Sequence, residues 1–117
     1  MDFKELKPDH LLGRWRVQSR ILSKSDPYSV FAKAEHHHFL NGGAYKITNG
    51  IESNGQWNLS PTAELIRNPL LRFTVNNEIT NAIITRLLFS EDSQEAQLTI
   101  YLSTGLELVL TRRQTAA

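Results

Sequence analysis

From Gly13 to Arg113 apolar and polar residues alternate with a period of two, and turn-forming clusters cut the alternation at short intervals. Successive side chains of a strand point to opposite faces, so this period means strands with one buried face. Candidate strands run over residues 14–22, 30–40, 44–49, 56–60, 63–67, 71–76, 82–90, 95–103 and 106–113. Between them lie Ser23-Lys24-Ser25-Asp26-Pro27, Asn41-Gly42-Gly43, Gly50, Ser53-Asn54-Gly55, Asn68-Pro69, Asn76-Asn77, Glu91-Asp92-Ser93 and Thr104-Gly105. Parallel pairing needs crossovers of a dozen residues or more, whereas these connections suit hairpins. The order is that of an antiparallel meander. Eight or nine short twisted strands leave exposed edges unless the sheet closes. The expected fold class is therefore all-β: a single antiparallel up-and-down β-barrel of eight or nine strands, one domain over residues 1–117. Residues 2–12 can add only a short helical turn, because Pro8 interrupts anything longer.

Parity then sorts the faces. Trp15, Val17 and Ile21, Trp57 and Leu59, Leu65, and Leu71, Phe73 and Val75 are expected inside. So are Ile83, Leu87 and Phe89, Leu98, Ile100 and Leu102, and Leu106, Leu108 and Leu110, with Ser19 and Thr85 as inward hydroxyls. Burial of each large apolar side chain contributes roughly 1.5–3 kcal/mol. The outer parity holds Arg14, Arg16 and Arg20, but also Tyr45, Ile47, Ile84, Leu88, Tyr101 and Val109. Ile84, Leu88, Tyr101 and Val109 fall on sequential strands and would form one apolar patch, a homodimer face or partner site.

Composition removes several functions. Thirteen Lys and Arg against 12 Asp and Glu give a formal charge of +1. No basic run is interleaved with aromatics, so nucleic acid is not an expected partner. The absence of cysteine excludes disulfides, thiolate catalysis and cysteine-bound zinc. No apolar stretch approaches the length of a membrane span, and the opening MDFKELKPDH lacks a leader pattern. The chain as given is expected to be cytoplasmic, without a cofactor.

One charge breaks the pattern. Parity turns Arg112 inward with Leu106, Leu108 and Leu110, and a guanidinium in an apolar interior is costly unless paired. In a closed barrel the last strand borders the first, so Arg112 can cover the indole of Trp15, an interaction of about 0.5–2 kcal/mol. Its donors can reach carbonyls of the N-terminal turn, which would plug one end, while Gly13 allows the sharp change of direction.

Gly13-Arg14-Trp15, the turn before it and Arg112 on the last strand resemble the calycin superfamily, specifically its small bacterial lipocalin-like domain. Gly43-Ala44-Tyr45-Lys46-Ile47 and Gly55-Gln56-Trp57-Asn58-Leu59 are similar to the second and later strands of that family. The chain is shorter than secreted lipocalins and lacks their disulfide. The resemblance implies a barrel with a structural signature at Gly13, Trp15 and Arg112.

Three functions follow as expectations. The first is non-enzymatic binding of a small apolar or amphipathic molecule inside the barrel. Its ligand residues would be His37, Phe39, Tyr45, Trp57, Phe73, Phe89 and Ser19, with a mouth at residues 23–28 and 49–55. Trp57, Phe73 and Phe89 can equally fill the interior, since an eight-stranded barrel is near the size at which side chains suffice. The second is a filled barrel acting as an interaction or homodimerisation module through the outer patch. The third is a small barrel enzyme or metal protein using Glu35-His36-His37-His38, in which His36 and His38 share one face of a strand. A third metal ligand is not evident, because the remaining histidine, His10, belongs to the plug. The cluster is equally a polar strand near a rim. Catalysis is not expected, because the carboxylates fall in turns or on the outer parity and none is placed inside beside another titratable group.

Overall fold

The structure, a computed structural model, describes residues 6–22, 30–60, 68–90 and 94–113. Eight strands close into an antiparallel barrel in chain order. They are β1 (Gly13–Leu22), β2 (His36–Phe39), β3 (Ala44–Thr48), β4 (Glu52–Ser60), β5 (Leu70–Val75), β6 (Glu78–Ser90), β7 (Glu95–Leu102) and β8 (Leu106–Arg113). Pairing of β8 with β1, from Arg16 opposite Thr111 to Leu22 opposite Leu106, closes the cylinder. The expected ninth strand at 63–67, with Leu65, lies outside the described residues, as do the turns at 23–27 and 91–93.

The N-terminal plug takes the expected form. Pro8 opens a 3-10 turn, Pro8–Leu11, and the Lys7 amide donates to His10 Nδ1 at 2.9 Å. Leu6 and Leu11 are buried beneath it. The Leu11 carbonyl accepts the indole N–H of Trp15 at 2.8 Å.

Between β1 and β2 the expectation of one strand over 30–40 fails. A single helical turn, α1 (Val30–Lys33), precedes β2. Its Phe31 and Ala32 are buried. Arg20 donates to the carbonyls of Ala32 at 2.9 Å and Ala34 at 3.0 Å. These bonds satisfy carbonyls that a helix end leaves without intrahelical partners. Glu35 then rejoins the sheet, its amide donating to Thr48 O and its carbonyl accepting from the Val17 amide, each at 2.8 Å. Since Glu35 lies level with Val17, α1 occupies the end of the barrel opposite the plug.

Two bulges explain most errors of face. One lies between Val17 and Ser19. An extra residue reverses parity. Arg20 therefore pairs with buried Leu108 on the inner face, while Ser19 and Ile21 turn outward, Ile21 being 56% exposed. The second lies between Ile84 and Arg86. Before it Ala82 and Ile84 point in and Ile83 does not; after it Leu87 points in as expected. Thr85, at the bulge, is exposed and bonds to Thr99 O at 3.3 Å.

Tyr45 and Ile47 are also buried rather than outward. Their partners across the ladder are Phe39 and His37, and opposed residues share a face. The phase is set by the turn Asn41–Gly43, which places Gly42 at φ 73° and Gly43 at φ 80°. Ser53-Asn54-Gly55 is not a turn but part of β4; the turn lies at 49–51, where Asn49 N donates to Ile51 O at 3.2 Å. Gly55 belongs within the strand, because a Cβ there would stand 2.1 Å from Thr74 O.

Candidate ligand site inside the barrel

The closed end carries the signature at contact distance. The Arg112 guanidinium lies 4.4 Å from the Trp15 ring centroid and donates to the Leu12 carbonyl. Burial draws its pKa below the usual arginine value. Gly13 has φ +126°, and a Cβ there would come within 3.0 Å of Arg112 Cδ. The guanidinium thus has an aromatic face and a carbonyl partner, the compensation a buried charge requires.

Above that plug the inner face is aromatic. β2 sends His37 and Phe39 inward, β3 sends Tyr45, β4 Trp57 and β5 Phe73, while α1 adds Phe31. Ring centroids lie 4.8 Å apart for Tyr45 and Phe73, 5.4 Å for Phe39 and Tyr45, and 5.6 Å for Phe31 and Phe73. Phe39 meets Trp57 edge-on at 5.0 Å, and Trp57 Nε1 donates to Leu40 O at 3.0 Å. Tilted and edge-on pairs at these spacings suit the ring quadrupoles.

Within this cluster His37 is fully buried, and its Nδ1 is hydrogen-bonded to Tyr45 Oη. Its Nε2 has no hydrogen-bond partner. Burial, and then the charges of His38, Arg20 and His36, push the His37 pKa down to about 3. Burial likewise raises Tyr45 well above the ordinary phenol value. Both groups are therefore neutral near pH 7. The Tyr45 hydroxyl has no other partner among the described residues, so it is assigned as the donor to Nδ1, which puts the ring proton on Nε2. An orphaned buried donor costs about 1–3 kcal/mol.

Of the expected ligand residues, the fold brings His37, Phe39, Tyr45, Trp57 and Phe73 together. Ser19 is separated from them on the outer face, because the β1 bulge turned it there. Phe89 is half-buried at the far end of β6, lining a shallow hollow with Leu88, Ala96 and Gln97. Phe31 and Arg20 are additions. Phe31 hides in a segment whose pattern suits a strand, and Arg20 changes face only through the bulge. Residues 23–28 of the expected mouth lie outside the described residues.

The histidines divide by parity. His36 and His38 share the outer face, their ring centroids 6.3 Å apart. Arg14 donates to His36 Nε2 at 3.1 Å, and burial followed by the Arg14 charge lowers both histidine pKa values. An arginine occupying an imidazole nitrogen opposes a cation there, and no three His, Asp or Glu converge among the described residues. The expected outer patch is also broken. Ile84 is inside, and the polar pair Arg86–Thr99 lies between exposed Leu88 and exposed Tyr101. No helix among the described residues is long and apolar enough to cross a membrane.

No known family, curated protein or solved structure matches the chain.

Proposed function

We propose that this protein is a binding protein of the small bacterial lipocalin-like type, holding a predominantly apolar molecule with one hydrogen-bond acceptor inside its barrel. The observation that carries the reading is the orphaned Nε2 of His37, a fully buried polar atom whose ring stands beside Tyr45, itself in contact with Phe39 and Phe73. Buried polar groups are nearly always paired, and ligand sites are characteristically apolar with a few placed polar groups. A carbonyl, ether or carboxylate oxygen accepts the Nε2 proton, while the rings cover the apolar body. Admission is at the α1 end, because Trp15 and Arg112 shut the other. The reading assigns no catalytic residue.

A panel of fatty acids, fatty alcohols and polarity-sensitive dyes, followed by tryptophan fluorescence and thermal shift, tests this. Wild type should bind acceptor-bearing ligands saturably, and His37→Phe should lose that preference by about tenfold, the value of one buried hydrogen bond. No saturable ligand, or equal binding by a folded His37→Phe, would overturn it.

A further inference from the structure

A second site is built on the outside of the barrel, over the closing seam between β8 and β1. Arg14, Arg16, His36, Glu95, Thr111 and Arg113 line a hollow of about 340 Å³ there. The ladders set the arrangement. Arg16 stands opposite Thr111 on one side and His36 on the other, and Arg14 stands opposite His38. Two residues beyond the last β1–β8 pair, the same register brings Arg113 level with Arg14. Like charges side by side on adjacent strands are destabilising. The sheet nevertheless places three guanidinium groups around one recess, in a chain whose formal charge is only +1.

Among the described residues no carboxylate forms an ion pair with those arginines. The only ion pair between described residues joins Lys46 and Glu52, at 3.9 Å, and it lies outside the hollow. Glu95 is the single carboxylate among the described lining residues; it pairs with Arg113 in the ladder but not as a salt bridge. Arg14 is held by His36, whose Nε2 accepts its N–H at 3.1 Å. That bond requires a neutral His36 and leaves the other guanidinium N–H groups available. Thr111 adds a hydroxyl, which can donate or accept.

We propose that this hollow binds the phosphate group of a small molecule. Fork-shaped guanidinium donors match phosphate oxygens bidentately, and a phosphate monoester carries nearly two negative charges at neutral pH. Among the described lining residues, three arginines against one glutamate suit a dianion better than a monocarboxylate. The recess lies on the outer wall, independent of the interior site, so either can fail without the other.

Calorimetric titration of the full chain with inorganic phosphate, pyrophosphate and acetate at low ionic strength tests the assignment. Phosphate and pyrophosphate should saturate one site, with acetate weaker by about tenfold and all binding weakened at about 0.15 M salt. Arg16→Gln and Arg113→Gln should each weaken phosphate by about tenfold, as expected for loss of a charge-assisted bond. Glu95→Gln should tighten it. Arg72→Gln, which removes the same charge from β5 outside the hollow, should leave it unchanged. Circular dichroism establishes that each variant keeps the barrel. Absence of saturation, acetate binding as well as phosphate, or an equal loss in Arg72→Gln would overturn the proposal.

Discussion

Gly13 shows how one residue can be held in place by two separate demands. Its φ of +126° disfavours any side chain, and a Cβ would press on the Arg112 stem at 3.0 Å. Gly13→Ala should therefore cost about 1–3 kcal/mol, read from urea unfolding. Arg112→Ala exposes the Trp15 face and frees the Leu12 carbonyl, while Trp15→Ala empties a fully buried volume. Each should destabilise by about 3 kcal/mol or more, and the double variant by less than the sum, since the groups touch. A fully additive pair would contradict the stacking. At Gly55 the constraint is purely spatial. A Cβ 2.1 Å from Thr74 O cannot be accommodated without parting β4 from β5. Each glycine stands two residues before a tryptophan, but only Gly13 sits at an evident change of direction. Gly55 reads as a turn residue because a close approach of backbone has no local signature.

At the level of elements, α1 depends on others more than on itself. One helical turn is too short to persist in water without tertiary support. Its support is buried Phe31 and Ala32, together with the two bonds from Arg20 to Ala32 and Ala34. Arg20→Gln should loosen α1 without opening the barrel. Amide exchange should accelerate in residues 31–35, while the β7 core, with Leu98 and Ile100 fully buried, stays protected. Uniform acceleration throughout would mean that Arg20 serves global stability instead. The same element marks where pattern reading stops. Val30 to Phe39 carries apolar residues compatible with a strand, and the choice of a helical turn depends on a carbonyl-binding arginine from β1. The outer hollow has a comparable origin. Arg14 and Arg16 are visibly outward by parity, but their meeting with Arg113 follows from closure of the sheet.

For the whole molecule, the central quantity is a neutral histidine in the interior. His37 has its folded value near 3, below the ordinary 6.5 of an exposed imidazole. Below about pH 6.5 the unfolded chain takes up a proton that the folded one refuses, so stability is complete above that value and declines as pH falls toward 3. The slope should approach about 1.4 kcal/mol per pH unit. His36 and His38, also lowered, act in the same direction. Urea midpoints between about pH 6.5 and 5, above most carboxylate titrations, provide the check. His37→Phe should flatten much of the slope, and an unchanged slope would show that His37 is not the group refusing the proton.

Strand order and antiparallel pairing were legible along the chain, because period-two alternation and most of the turn residues act over a few neighbours. So was the partnership of Trp15 with Arg112, since an inward charge on the last strand has few means of compensation. Tertiary structure alone decided which face several residues occupy. A bulge inserts one residue without changing composition, yet it reverses Ser19, Arg20 and Ile21, and a second one shifts Ile83 and Ile84. Cross-strand register, not local pattern, brought Tyr45 against Phe39 and set its hydroxyl on His37. Parity is a local property, but phase is inherited from the neighbouring strand, and that inheritance is visible only once the sheet has closed.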